Sequence, residues 1–167
     1  MEMTRAGDEM LTPQPAMVDP GVLGDRDLSL HLIEAYAGNP RARWAPAYRF
    51  EMRAQGGRVR VGRITLRLGH DPDIELYAGH IGYDVEPAHR GHHYAARACE
   101  LLWPLARHHG IDPVWITCNP DNWPSRRTCE LVGGQLVEIV DLPPGNDLYR
   151  IFGERQKCRY RVDLGTH

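Results

Sequence analysis

No run of about 18 apolar residues occurs anywhere in the 167 residues, so no segment is expected to cross a bilayer as a helix. Met1-Glu2-Met3-Thr4-Arg5 leads into a polar stretch that lacks the apolar core of a secretory leader. None of the four cysteines (Cys99, Cys118, Cys129, Cys158) stands in a C-x-x-C pair, which argues against a zinc ribbon or a thioredoxin-like motif. Such isolated cysteines suit a reducing compartment, and a cytoplasmic location is the expectation. An excess of one charge is also lacking: 20 Lys and Arg face 22 Asp and Glu, for a net charge of -2. Nothing global draws this chain to nucleic acid or to an anionic membrane, and neither is expected as a partner. A His-Glu-x-x-His pattern, a Walker lysine motif and a dinucleotide fingerprint are all missing. The nine histidines do not fill the gap. His89 precedes a helix that His93 opens, while His108 and His109 point about 100° apart on a helix. No metal is expected.

Apolar residues make up 42% of the chain and charged residues 25%, the balance of a globular domain. Residues 1–21, with Pro13, Pro15 and Pro20, read as a flexible tail, and 22–167 as one domain. Asp27 suits a helix N-cap before Leu28 to Tyr36, ending near Gly38-Asn39-Pro40. Strands then follow. Tyr48 to Arg53 alternates apolar with charged residues, and Gln55-Gly56-Gly57 turns the chain. Val59, Val61, Ile64, Leu66 and Leu68 form the next strand, with a phase shift and a bulge at Gly62-Arg63. Residues 69–73 read as a loop; 74–77 and 79–85 read as one bent strand or two short ones. From Tyr94 to His109 the apolar spacing becomes helical, with Pro104 inside and Gly110 as the stop. Val114 to Cys118 is a short buried strand, so strand, helix and strand predict a right-handed crossover and a parallel pair. A helix from Asn122 or Pro124 to Leu131, a strand over 135–140, a long loop over 141–154 and a last strand over 156–163 complete the chain.

The segment Val85-Glu86-Pro87-Ala88-His89-Arg90-Gly91-His92-His93-Tyr94-Ala95 leaves a strand, turns, and opens the long helix. Free N–H groups at such a start, together with the helix dipole, can bind a phosphate or diphosphate. Arg90 adds charge that pairs with phosphate oxygens, and Gly91 allows a close backbone approach.

On these residues the chain resembles the GNAT superfamily of N-acetyltransferases. Arg90 to Ala95 is similar to the family's Gln/Arg-x-x-Gly-x-Gly/Ala signature, and Gly82 to Pro87 to its fourth strand and following proline. Asn119-Pro120-Asp121-Asn122-Trp123-Pro124-Ser125 resembles Asn-x-x-Asn-x-x-Ser, and Gly133-Gly134 the family's Gly-Phe position. The likeness spans roughly 48–163 and is nearest to a less characterised bacterial branch. It departs at His93, where the signature's first glycine stands, and at Cys129, which occupies the place of a tyrosine that protonates the leaving thiolate in many members.

The resemblance implies an α/β fold, with a mixed, mainly antiparallel sheet of six to seven strands flanked by helices. It implies acetyl transfer from acetyl-CoA to a primary amine by direct attack in a ternary complex, in a monomer or a homodimer. Val85, Arg90, Gly91, His92, His93, Tyr94 and Ala95 would hold the coenzyme from one side. Asn119, Asn122 and Ser125 would hold it from the other, although the two asparagines also suit a turn and an N-cap. Asp84 and Glu86 lie on one strand face and are candidates for the general base, with Tyr83 and Glu75 behind them. Cys129 is the candidate acid, and small apolar packing is the competing reading of that residue. The acceptor is expected between residues 28–47 and the loop 141–154. The departures at His93 and Cys129 leave open a domain that binds acyl-CoA without turnover, and the donor could carry a longer acyl chain.

Overall fold

The computed structural model describes residues 16–42 and 44–165. One eight-stranded sheet runs in the order β1-β2-β3-β4-β5-β6-β8-β7, one strand more than the upper sequence expectation. Its strands are β1 (Leu23–Asp25), β2 (Leu28–Tyr36), β3 (Ala47–Ala54), β4 (Val59–Arg67), β5 (Ile81–Val85), β6 (Val114–Cys118), β7 (Gln135–Asp141) and β8 (Gln156–Val162). Every neighbouring pair is antiparallel except β5 and β6. These two are parallel because the 15-residue helix α1 (Tyr94–His108) carries the chain between them, as the strand–helix–strand order predicts. Helices α2 (Trp123–Leu131) and α3 (Asp147–Phe152) complete the α/β architecture. No helix among the described residues is long and apolar enough to cross a membrane.

The helix expected over Leu28 to Tyr36 is strand β2. Leu28 and Leu30 are buried while Ser29 and His31, alternating with them, are partly open. That is a period of two, and a short apolar run with this spacing fits either structure until a partner strand decides it. Asp27 sits in the turn of the β1–β2 hairpin, where its carboxylate receives Arg97 at 2.8 Å. Two further expectations are corrected. Ile74 to Ala78 forms a π-helical turn, and the loop over 141–154 contains α3, whose start Asn146 caps by accepting from Leu148 N–H. Of the expected tail, Met17 and Val18 pack on the core and Val18 N–H donates to the Tyr48 hydroxyl at 2.9 Å; residues 1–15 lie outside the described residues.

The core lies between the sheet and α1. Tyr48, Phe50 and Met52 of β3, Ile64 and Leu66 of β4, and Ala98, Cys99, Leu102 and Ala106 of α1 are fully buried. Tyr48 pairs with Leu66 across the strands and meets His109, at the end of α1, at 2.7 Å. The face that carries Tyr48, Leu66 and Ile64 is therefore the helix face. Thr65 and Arg67 alternate to the other side.

Candidate active site

The strands β5 and β6 meet through a single residue pair, Ile81 with Ile116, and then part. Glu86 N–H bonds back to Val61 of β4, so alternation turns the N–H groups of Tyr83 and Val85 toward the open side. Gly62 makes that strand position possible: a Cβ there would lie 2.1 Å from the Asp84 carbonyl oxygen. The bulge expected at Gly62-Arg63 lies just before it: Met52 pairs with Gly62 and Arg53 with Arg60, so Val61 is the extra residue.

The open side of β5 leads into the start of α1. Arg90 Nε donates to the Val85 carbonyl at 3.0 Å, and both Gly91 (φ 93°) and His93 (φ 57°) are left-handed. A non-glycine residue in that region costs about 1–2 kcal/mol, so His93 does take the conformation for which glycine is the low-cost choice. No side chain caps α1; its first turn begins with Arg97 N–H on the His93 carbonyl. The N–H groups of Tyr94, Ala95 and Ala96 therefore have no helical acceptor, and the dipole of a 15-residue helix points out through them. His92 and His93 are exposed beside this start.

A cavity of about 250 Å³ fills the gap between β5 and β6. On the helix face its wall includes Tyr83, Cys118, Asn119, Asn122 and Ser125. The Tyr83 and Ser125 hydroxyls are 2.6 Å apart, and burial pushes the phenol pKa far above its usual value. Asn122 caps α2 by accepting from Ser125 N–H at 3.2 Å. Asn119 Oδ1 is buried with no partner among the described residues. An unpaired buried acceptor is costly, and this one lies in the cavity wall. Cys129 is fully buried behind that wall and does not line it. Its hydrogen bond with Cys118 and its burial push the Cys129 thiol up, while the same bond draws the Cys118 thiol below its usual value.

On the opposite face the lining comes from Arg67, Tyr77, Gly82, Leu148, Glu154 and Lys157. Glu154 Oε2 and Lys157 Nζ pair at 2.7 Å, both largely buried. Asp84 is exposed and does not line the cavity. Glu86 faces Arg60 at 3.6 Å, also away from it. Glu75 belongs to the π-turn, where His70 meets it at 3.3 Å. The described residues of 28–47 contribute nothing to the lining, whereas the segment 141–154 does. Sequence reading did not reach Arg67, Glu154 or Lys157 because they come together only when the π-turn and α3 fold over the sheet.

His70, Glu75 and His80 are the one cluster of metal-ligating atoms found among the described residues. His80 has no free nitrogen: Nδ1 accepts from Trp115 N–H and Nε2 donates to the Gly69 carbonyl, each at 2.9 Å. That leaves two donors, short of a structural site.

The acetyltransferase (GNAT) domain family matches residues 11–135. Among curated proteins none matches the chain. Among solved structures, a probable acetyltransferase (GNAT family) of Chromobacterium violaceum ATCC 12472 superposes with a TM-score of 0.62 at 13% identity, over 99% of this chain and 97% of that one. RimL, a ribosomal-protein alpha-N-acetyltransferase solved with coenzyme A in a disulfide to a cysteine of that protein, gives 0.59 at 13% identity, over 87% and 100%. The microcin C7 self-immunity acetyltransferase MccE, solved with acetyl-CoA and AMP, gives 0.52 at 16% identity, over 70% and 61%.

Proposed function

The chain belongs to the GNAT acetyltransferase family, and from that premise we propose that it moves the acetyl group of acetyl-CoA to a primary amine by direct attack in a ternary complex, in the cytoplasm. One observation carries the proposal: the gap between β5 and β6 opens beside the uncapped start of α1. A strand-like ligand can fill such a gap and end its anionic part at a helix N-terminus.

Acetyl-CoA supplies an acyl group activated as a thioester, with a thiol as leaving group. The free N–H groups from Gly91 to Ala95 and the Arg90 guanidinium suit its diphosphate, and His92 and His93 border the same spot. Asn119 Oδ1, unpaired and buried, suits an amide N–H of the pantetheine, with Asn122 and Ser125 beside it. Val85 N–H, on the open edge, is placed to polarise the acetyl carbonyl. RimL, in its complex, bonds coenzyme sulfur to a cysteine; Cys118 lines this chain's cavity, and we take the coenzyme sulfur to lie beside it.

Two proton transfers remain. Among the carboxylates named above, Glu154 is the one that lines the cavity, and we assign it the amine proton, taken directly or through water. Asp84 and Glu86, the bases expected from sequence, are the comparison. The Ser125 hydroxyl gives its proton to the departing thiolate and regains one through water from Glu154, while the Tyr83 phenol at 2.6 Å holds the serine oxygen by a hydrogen bond. Burial keeps that phenol protonated. Cys129 serves packing beneath the pair.

Thiol release from acetyl-CoA across a panel of amines tests the assignment. Glu154→Gln should lower kcat by roughly 10²-fold or more while coenzyme binding persists; Asp84→Asn and Glu86→Gln should lower it far less. A reversal of that order moves the base to β5. Coenzyme binding with no release for any amine would indicate a binding domain. Faster turnover with longer acyl-CoA thioesters would change the donor.

A further inference from the structure

The cavity holds an unmatched positive charge. Lys157 is neutralised by Glu154 at 2.7 Å, but no carboxylate among the described residues lies within ion-pair distance of Arg67. Its guanidinium donates from Nη1 to two backbone oxygens, Ala78 at 3.3 Å and Gly79 at 3.2 Å. No protein acceptor among the described residues meets Nε or Nη2. A guanidinium carries five donors in a planar fork that fits a carboxylate, so most of this fork is unused. A charge that is largely withdrawn from water and unpaired is expensive to keep unless something completes it.

Position indicates what completes it. Gly82, next to Tyr83 on β5, has no side chain, and the Arg67 fork lies over it: a Cβ there would stand 3.0 Å from Nη2 and 3.2 Å from Nη1. A side chain at 82 would crowd the fork and shift it by a few tenths of an ångström or more. Arg67 and Gly82 occupy the sheet face opposite Tyr83, Ser125 and the start of α1. The coenzyme is proposed to enter from the helix face, so the fork looks into the half of the cavity left for the acceptor.

We propose that the acceptor amine carries a carboxylate, as a free amino acid does, and that the Arg67 guanidinium receives it. This deepens, and rests on, the acetyl-transfer reading above. With the incoming amine neutral and Glu154 still ionised, such an acceptor bears one negative charge and balances the one unmatched positive charge of the cavity. The volume of about 250 Å³ lies below the usual span of small-molecule sites, roughly 300–1,000 Å³, and favours a compact acceptor. Arg67 also ties down the end of the π-turn through its two carbonyl contacts, so its test must separate recognition from support.

Thiol release is measured with the common amino acids and with the carboxamide of each. Calorimetry with the N-acetyl amino acids and their amides, on the protein saturated with coenzyme A, provides a readout free of turnover. The expected result is kcat/KM at least about tenfold higher for the acid of an accepted pair than for its amide. Arg67→Gln should bring that ratio close to one, and Arg67→Lys should leave it between. The N-acetyl acid should bind the wild-type complex and lose at least about tenfold in affinity in Arg67→Gln. If no amino acid turns over, the calorimetric pair decides alone. Equal use or equal binding of acid and amide overturns the proposal. So does a loss in Arg67→Gln that is the same for both members, which marks a structural tether. Preference for succinyl-CoA over acetyl-CoA also overturns it, since the anion then belongs to the donor. Failure of coenzyme A to bind at all is a different result, and it removes the acetyl-transfer reading itself.

Discussion

At the scale of single residues, the candidate site combines a strained helix start with a buried pair of hydroxyls. His93 holds φ 57° at the position where α1 begins. A β-branched side chain there should cost about 1–3 kcal/mol, so His93→Val should lower unfolding stability by that amount. His93→Gly should stay within about 1 kcal/mol of the parent, because relief of strain is offset by the greater freedom of unfolded glycine. Urea unfolding measures both. Tyr83→Phe and Ser125→Ala should each lower kcat by about 10–100-fold with little change in the KM for acetyl-CoA, read by steady-state kinetics. Residues whose role is local were legible in the sequence: Asn122 caps α2 three residues before a helical N–H, a pattern visible within four letters. Glu154 was hidden inside a presumed loop, and Arg67 stands unmarked between Leu66 and Leu68 of an expected strand. Their roles depend on contacts from distant segments, and no local pattern records them.

At the scale of elements, β2 shows how a short apolar run misleads. Leu28, Leu30 and Leu32 alternate, yet Leu32, Ile33, Ala35 and Tyr36 also fit a helical stripe; pairing with β3 settles the matter. Gly62 shows the opposite case, where the bulge was readable from a broken alternation. Gly62→Ala should cost about 1–3 kcal/mol and, by moving β5 at Asp84, should weaken coenzyme binding as well; thermal unfolding and calorimetry give the two numbers. The segment carrying the π-turn is held to β6 through His80, which burial keeps neutral by lowering its pKa. Unfolded, the ring returns toward about 6.5. The unfolded chain therefore takes up a proton that the folded chain refuses. Stability is complete above about pH 6.5 and declines as the pH falls from there toward the lowered folded value. His109, likewise lowered by burial, acts with the same sign. The slope is at most about 1.4 kcal/mol per pH unit for each histidine. Melting temperature should drop from pH 7 to pH 5, and less steeply in His80→Gln.

At the scale of the whole molecule, the order of the strands after β3 and of α1 and α2 was legible because these are marked by periodicity and, for the helices, by a stop: Gly110 after α1, Gly133-Gly134 after α2; the π-turn and α3, short and without such periodicity, were not. The parallel crossover followed from that order. The parting of β5 from β6 was not legible from composition or spacing, since it depends on how α1, α2 and the π-turn pack on the two faces. The proposed coenzyme cradle, by contrast, was marked locally by the turn and helix start from Arg90 to Ala95. Arg90→Glu should lower coenzyme A affinity by about tenfold or more through charge reversal, with the fold intact by circular dichroism. The central claim is that coenzyme A lies along the open edge of β5 and ends at the start of α1. Amide hydrogen exchange resolved to single residues, with and without saturating coenzyme A, tests it most directly. New protection is expected at Tyr83 and Val85 and at Tyr94 to Ala96. Protection confined to other parts of the sheet, or none at saturation, would contradict it.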